Sequence, residues 1–297
     1  MKKKLIFQGV GTALITPMRD GKIDYTALTD IIERQITGGA AALVVGGTTG
    51  EAATLSDSER YQLYTYTKSQ VGGRVKLIFG TGTNDTEVAL RHAETAEKIG
   101  CDGILVVTPY YNKGTFRGVT EHYRKIAKAT SLPIILYNVP SRTGVNLTIE
   151  QLYELSKLEN IVGIKEAGDS AERLSDLSLL TDKLAVYAGN DSQTYTVCAL
   201  GGSGVISVVS NLYPERMSGI CSAVFDGRYA DALQMQKEML GFIKSVFIET
   251  NPAPIKYAMS LLGLCSDEVR LPLYTVEKST RDAVSNEINR LQGKTKS

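Results

Sequence analysis

Eight short apolar segments recur along the chain, and each is followed by a loop of small residues and an amphipathic stretch. The segments span residues 10–15, 42–45, 76–79, 103–107, 133–137, 161–165, 184–188 and 204–208. They lie about 20–35 residues apart, which is the size of one βα unit. They are almost continuously apolar, which is typical of parallel strands buried on both faces. The pattern therefore predicts an α/β fold with a parallel sheet.

The stretches between these segments begin with helix-start signals. Ser56, Asn84, Thr148 and Asp169 are each followed three residues later by Glu or Gln. In such a capping box, the first side chain accepts a hydrogen bond from the backbone while the Glu or Gln reaches back to it. We therefore predict that these four residues cap the amino ends of helices.

Two α/β architectures fit the alternation, namely a doubly wound open sheet and a closed (β/α)8 TIM barrel. The count of eight favours the barrel, and residues 16–21 after the first segment lack the Gly-x-Gly-x-x-Gly of a dinucleotide-binding sheet. We predict a catalytic barrel over residues 1–225 and a C-terminal helical extension over residues 226–297. The extension contains no candidate site residue, and we expect it to serve in oligomer packing.

Composition excludes several classes of function. The net charge of +1 gives no basic surplus for nucleic acid, and two His cannot form a multi-His metal site. No apolar stretch approaches the length that a membrane span needs. The apolar run at residues 5–7 is too short for a signal peptide, so we expect a cytoplasmic protein. The four cysteines lie at positions 101, 198, 221 and 265 and form no Cys-x-x-Cys pair. We expect them to be buried reduced thiols.

Lys165 is the most informative single residue, because it closes the sixth apolar segment. Side chains alternate along a strand, so if Lys165 points into the barrel, Glu166 points out to the helices. Burial without a paired acid disfavours the charged form of a lysine and makes the free amine available as a nucleophile. The alternative is a lysine that extends from the strand end to solvent.

Other strand ends carry further candidates. The segment 46–51, Gly-Gly-Thr-Thr-Gly-Glu, is either a backbone-amide nest for a carboxylate or a tight turn. Tyr137 lies at the end of the fifth segment, where it can exchange protons with an amine or simply fill the core. Tyr110 and Tyr111 fit an interface as well as a site. Arg142 is either solvated or placed to clamp a carboxylate.

The strand-end motifs resemble those of the dihydrodipicolinate synthases (4-hydroxy-tetrahydrodipicolinate synthases). The matching motifs, in the same order along nearly the whole chain, are GTTGE at 47–51, TPYY at 108–111, YNVPSRTG at 137–144, GIKE at 163–166 and GVIS at 204–207. This family belongs to the N-acetylneuraminate lyase superfamily of pyruvate-dependent class I aldolases. The resemblance implies a lyase that condenses pyruvate with L-aspartate 4-semialdehyde in diaminopimelate and lysine synthesis, without a metal or organic cofactor.

The resemblance also implies four catalytic residues. Lys165 would form a Schiff base with pyruvate, and Tyr137 would relay protons to and from it. Thr48 and Tyr111 would complete the proton relay, with Tyr111 reaching the site of a neighbouring subunit. The implied assembly is a homotetramer, built as a dimer of dimers.

The implied substrate-binding residues are four more. Thr49 would hold the pyruvate carboxylate, and Arg142 would receive the carboxylate of aspartate semialdehyde. Ile206 would place its backbone carbonyl near the substrate, and Gly189, which follows the seventh segment, would belong to the same site.

One departure concerns feedback inhibition by lysine, which many relatives show. Asp57 and Arg60 stand where lysine-sensitive members often have His, and Val88 stands where they have Glu. We therefore expect lysine inhibition to be weak or absent.

Two other functions remain open at this point. One is a pyruvate-dependent sugar-acid aldolase or an N-acetylneuraminate lyase-like enzyme on the same scaffold, against which Arg142 argues. The other is a barrel without catalysis that binds a small acid, against which Lys165, Tyr137 and Thr48 argue, since a binding protein does not need a desolvated amine.

Overall fold

Eight parallel strands close into one barrel, in a computed structural model that describes residue 3 and residues 5–293. Each strand pairs with its neighbours in chain order, and β1 pairs with β8 to close the ring. The strands are β1 (Gly9–Ala13), β2 (Ala42–Val45), β3 (Lys76–Gly80), β4 (Gly103–Val107), β5 (Ile134–Asn138), β6 (Ile161–Glu166), β7 (Ala185–Ala188) and β8 (Gly204–Ser207). The predicted TIM barrel is confirmed, and the doubly wound alternative is wrong.

Helices follow every strand and cover the barrel. They are α1 (Tyr25–Thr37), α2 (Asp57–Val71), α3 (Thr86–Ile99), α4 (Phe116–Ala129), the single turn α5 (Pro140–Thr143), α6 (Ile149–Leu155), α7 (Ala171–Ser178), α8 (Thr194–Ala199) and α9 (Pro214–Phe225). Three more helices, α10 (Tyr229–Ser245), α11 (Ala253–Ser260) and α12 (Lys278–Leu291), follow the barrel. In the part of the chain that the structure describes, no helix is long and apolar enough to cross a membrane.

The helix-start predictions hold at two sites and shift by one residue at the other two. Ser56 and Thr148 form complete capping boxes. Helix α3 is capped by Asp85, whose carboxylate accepts hydrogen bonds from two backbone amides, and α7 is capped by Ser170. The prediction for Asn84 and Asp169 was therefore wrong by one position, because the next residue in each case is also a good cap.

The barrel interior is filled by side chains from alternate strand positions and closed at its amino end by the segment before β1. The ring of Phe7 stacks on that of Tyr187 with 4.4 Å between centroids, and the Tyr187 hydroxyl donates to the Phe7 carbonyl oxygen at 2.6 Å. A side chain at Gly11 would lie 2.7 Å from the Phe7 ring, so the strand needs a glycine there. The interior is consequently closed at one end and open at the other.

The helix α4 carries a histidine that burial keeps neutral. His122 is 5% exposed, its Nδ1 lies 2.9 Å from the Thr86 hydroxyl, and its Nε2 is buried without a hydrogen-bond partner among the described residues. Burial lowers the pKa of His122 to about 4. Protonation of this ring therefore opposes folding.

We expect stability to fall in acid through His122. Histidine in an unfolded chain has a pKa of about 6.5, so the unfolded state binds more protons than the folded state between that pH and about 4. Neutral His122 therefore contributes to stability above about pH 6.5, and this contribution is lost as the pH falls from about 6.5 to about 4. When the pH falls from 7 to 5, the free energy of unfolding, measured with urea, should decrease by about 2 kcal/mol more for the wild type than for His122→Asn. Equal losses in the two proteins would contradict this account.

Candidate active site

Lys165 and Tyr137 lie side by side inside the open end of the barrel. They are paired in register on β6 and β5, so both side chains point to the same face of the sheet. Lys165 is 5% exposed, and its Nζ lies 4.3 Å from the centroid of the Tyr137 ring. The interpretation of Lys165 as a lysine that extends to solvent is therefore wrong.

Glu166 points to the opposite face of β6, as the strand alternation predicts. Its carboxylate is fully buried and accepts hydrogen bonds from Asn138 at 2.8 Å and from the Arg173 guanidinium at 3.1 Å. The amide of Gly168 donates to the same carboxylate at 2.8 Å. Glu166 consequently neutralises Arg173 and does not serve as a counterion for Lys165.

The loop between β2 and α2 turns back on itself at the mouth of the barrel. Gly46 has a φ of +65°, and a side chain there would lie 2.3 Å from the Tyr64 hydroxyl. The amide of Gly50 donates to the Gly47 carbonyl oxygen at 3.1 Å, and that of Glu51 donates to the Thr48 carbonyl oxygen at 3.1 Å. These two amides are therefore used within the loop, and the turn leaves its threonine hydroxyls and remaining amides as the candidate donors to an anion.

A cavity of about 360 Å³ lies above this loop and the ends of β3, β4 and β5. Of the predicted site residues, Thr48, Tyr137 and Arg142 line it. The volume is in the range of sites for small molecules, which runs from about 300 to 1,000 Å³. Its position at the carboxyl ends of the strands is where TIM barrels carry their chemistry.

Arg142 lies on α5 at the edge of the cavity and remains accessible. Its guanidinium makes one long hydrogen bond, at 3.4 Å, to the carbonyl oxygen of Asn251. A guanidinium with free donors at a cavity mouth can bind a carboxylate with two parallel hydrogen bonds.

Five predicted residues do not line the cavity, namely Lys165, Thr49, Ile206, Gly189 and Tyr111. Lys165 packs against the ring of Tyr137, and the Thr49 hydroxyl accepts a hydrogen bond from Asn251, and both of these partners line the cavity. Ile206 is fully buried and belongs to the apolar cluster of the barrel interior that includes Tyr137. Gly189 donates its amide to the Glu166 carbonyl oxygen at 2.5 Å, and a side chain there would lie 2.7 Å from that oxygen. Only glycine fits at this strand end.

Tyr111 is the predicted residue that the structure does not bring into the site of its own chain. It is 89% exposed, has a φ of +70° and does not line the cavity. Its neighbour Tyr110 does line the cavity.

The sequence analysis missed two polar residues that border the site. Asn251 lines the cavity and donates from its side-chain amide to the Thr49 hydroxyl at 3.0 Å. Asp191, after β7, accepts hydrogen bonds from Ser207 and from the backbone amide of Val208 at 3.0 Å. Burial raises the pKa of Asp191, and the hydrogen bonds from Ser207 and from the amide of Val208 act against that rise, as does, to a smaller extent, the positive charge of Lys165.

Asn251 belongs to the C-terminal extension, in which the sequence analysis found no candidate site residue. Asn251 and Thr49 are 202 residues apart, and no local pattern around Asn251 indicates such a contact. The position of Asp191 directly after an apolar segment was a usable signal, because buried carboxylates at strand ends are candidates for site residues.

The sequence profile of the dihydrodipicolinate synthetase family matches residues 6–291. The chain belongs to this family. Members of the dihydrodipicolinate synthetase family are lyases of the class I aldolase type, and the eight-stranded barrel described above is their fold.

Individual relatives agree over nearly full length. The chain is 44% identical over 282 residues to 4-hydroxy-tetrahydrodipicolinate synthase of Clostridium novyi (strain NT), and these residues make up 95% of each of the two proteins. The crystal structure of dihydrodipicolinate synthase from Thermotoga maritima matches with a TM-score of 0.95 and 39% identity, over 98% of this chain and 100% of that one. The chloride-inhibited enzyme from Acinetobacter baumannii, solved in complex with pyruvate, matches with a TM-score of 0.93 and 36% identity, over 96% and 98% of the two chains.

Proposed function

We propose that this protein is a 4-hydroxy-tetrahydrodipicolinate synthase, which condenses pyruvate with L-aspartate 4-semialdehyde in the diaminopimelate and lysine pathway. The observation that carries the proposal is the buried amine of Lys165 beside Tyr137, at the carboxyl ends of β6 and β5. A binding protein has no use for a lysine amine held out of water, whereas a Schiff-base enzyme requires one.

The first half of the reaction uses Lys165 as nucleophile. Its amine adds to the ketone carbon of pyruvate, and loss of water leaves a protonated imine. This imine is an electron sink, so a proton leaves the methyl carbon and an enamine forms. We assign the transfer of these protons to the Tyr137 hydroxyl, whose ring lies 4.3 Å from Nζ, and we assign the next position in the relay to Thr48, which lines the same cavity.

The second half joins the substrates and releases the enzyme. The enamine carbon attacks the aldehyde carbon, which forms a carbon–carbon bond and leaves a hydroxyl group. The amine of the former semialdehyde then attacks the imine carbon. This closes the ring and expels Lys165 as the free amine, so no external oxidant or reductant is consumed.

The two carboxylates have separate binding groups. We assign the carboxylate of pyruvate to the loop 46–51, where the Thr49 hydroxyl is held by Asn251 at 3.0 Å and can donate to the carboxylate. Arg142, at the cavity edge, is the group for the carboxylate of the semialdehyde. We assign the backbone carbonyl of Ile206 to the substrate, and Gly189 to the close packing of the β7 strand end against Ala167 and the Glu166 carbonyl oxygen.

We further propose a division of the chain into a catalytic barrel, residues 1–225, and a helical extension, residues 226–297. The proposed assembly is a homotetramer made of two dimers, in which Tyr111 crosses the dimer interface. The support is its 89% exposure outside its own cavity, which leaves the hydroxyl free for a second chain. Sedimentation equilibrium measures the assembly, and a fully active monomer would contradict the crossing.

The substrate proposal is tested by a coupled assay. We expect turnover of aspartate semialdehyde together with pyruvate, and no release of pyruvate from keto-sugar acids, which a sugar-acid aldolase would cleave. A charged short aldehyde matches Arg142, whereas a polyhydroxylated chain does not. Turnover of sugar acids alone would favour the alternative, a sugar-acid aldolase or an N-acetylneuraminate lyase-like enzyme.

We predict that lysine inhibits this enzyme weakly or not at all. The Arg60 guanidinium is buried and donates to the Ala52 carbonyl oxygen at 2.9 Å. The Asp57 carboxylate is hydrogen-bonded to the Nε2 of His92 at 3.1 Å, and the side chain of Val88 is apolar. An ammonium ligand would meet a fixed cation at Arg60 and no carboxylate at Val88. In a dose–response measurement we expect half-inhibition only above about one millimolar lysine. This concentration corresponds to a binding free energy of about −4 kcal/mol. Half-inhibition at a lower concentration would contradict the prediction.

A further inference from the structure

Lys256 is a buried cation that the proposed mechanism does not use. It lies on α11 in the extension, and neither its side chain nor that of Glu51 is exposed. Its Nζ donates to the Glu51 carboxylate and, at 2.8 Å, to the backbone carbonyl oxygen of Glu268. This ion pair joins residues 205 positions apart, one in the extension and one at the end of the loop 46–51.

The second oxygen of Glu51 is held by the same part of the extension. It accepts a hydrogen bond from the backbone amide of Arg270 at 3.0 Å. The Arg270 guanidinium in turn donates to the Thr54 carbonyl oxygen at 2.9 Å and to Glu59 at 2.5 Å. The extension therefore fixes both the Glu51 side chain and the chain that follows it.

The backbone of Glu51 is part of the loop that faces pyruvate. Glu51 has a φ of +56°, and its amide donates to the Thr48 carbonyl oxygen at 3.1 Å. Any rotation of Glu51 therefore moves Thr48 and, with it, Thr49. Glu51 lines the cavity, but both oxygens of its buried carboxylate are bound by the extension, at Lys256 and at the Arg270 amide, so its role is to orient this loop.

Stability alone does not explain the pair. The desolvation of two buried charges opposes their attraction, and an apolar pair of similar volume often serves stability as well or better. The charged pair fixes the orientation of the Glu51 side chain, because Lys256 binds one carboxylate oxygen and the Arg270 amide binds the other.

We propose that Lys256 is a positioning residue for pyruvate: through Glu51 it holds Thr48 and Thr49 in the geometry that binds the pyruvate carboxylate. The proposal depends on the proposed function of the site. It gives the C-terminal extension a part in substrate binding as well as in packing.

The test compares Lys256→Met with the double variant Glu51→Leu/Lys256→Met. In the single variant, Glu51 loses its partner, so both the melting temperature and the affinity for pyruvate should fall. In the double variant no unpaired charge remains, so the melting temperature should return close to that of the wild type. The KM for pyruvate should stay raised by about tenfold or more in both, because the loop is no longer oriented. The KM for the semialdehyde should change less than about threefold.

Lys244→Met is the matched control, since Lys244 is exposed on α10 in the same extension. It should leave the melting temperature and both KM values unchanged. A double variant that regains both the melting temperature and the wild-type KM for pyruvate would overturn the proposal, because Lys256 would then be structural only. If Lys256→Met does not fold, the KM for pyruvate of the double variant still decides between the two roles of Lys256.

The two proposals fail in different ways. If the wild-type enzyme shows no reaction with pyruvate, the proposed function fails and Lys256 has no substrate to position. If the wild type turns over pyruvate and the double variant has an unchanged KM for it, only the role of Lys256 is overturned.

Discussion

Replacing Lys165 with alanine is expected to lower kcat by about four orders of magnitude or more, because no other group can form the imine. Alanine also removes the buried amine without adding volume, so the barrel should keep its fold and its melting temperature should not fall sharply. Steady-state kinetics with aspartate semialdehyde and pyruvate, together with circular dichroism, measure both effects.

The matched control is Lys76→Ala. Lys76 lies at the first position of β3, at the opposite end of the barrel, where it pairs with Asp102 at 2.8 Å. TIM barrels use this end for stability, so kcat should change less than about threefold. A Lys165→Ala enzyme that keeps a tenth or more of the wild-type kcat would contradict the assignment of Lys165 as nucleophile.

Replacing Tyr137 with phenylalanine is expected to lower kcat by about 10²- to 10⁴-fold, the usual contribution of a positioned proton donor or acceptor. The ring stays against Lys165, so the packing at 4.3 Å between Nζ and the ring centroid is retained and only the hydroxyl is lost. Pyruvate should still form an adduct with the variant, but more slowly. Rapid-quench kinetics separate imine formation from the later steps.

Tyr123→Phe serves as the control for a lost buried hydroxyl. Tyr123 lies on α4 outside the cavity, and its hydroxyl donates to the Val106 carbonyl oxygen at 3.3 Å. This change should affect stability more than kcat. If both tyrosine variants lost kcat equally, the effect of Tyr137 would reflect packing rather than proton transfer.

Much of the barrel could be predicted from sequence because each strand is apolar along its whole length. Strand β2 and strand β4 match the predicted segments residue for residue, since small-residue loops bound them clearly. Strand β1 was predicted one residue late at its start and two residues late at its end, because residues 14 and 15 are apolar yet belong to the layer between strands and helices.

The site was predictable where its residues lie on strands and less so elsewhere. Strand alternation predicts that Lys165 and Tyr137 share a face and that Glu166 lies on the other, whereas the choice of the inward face and the two roles came from the family resemblance. The contacts of Asn251 with Thr49 and of Lys256 with Glu51 cross more than 200 residues of chain. They depend on how the extension folds over the barrel mouth, and no local periodicity encodes that.

The most direct test of the central claim is borohydride reduction of the wild-type enzyme in the presence of pyruvate, followed by peptide mass spectrometry. The account predicts one reduced pyruvate adduct per chain, on the peptide that contains Lys165 and at that residue. It also predicts no adduct on this peptide when pyruvate is omitted. An enzyme that turns over both substrates yet carries no adduct at Lys165, or carries it at another lysine, would contradict the account.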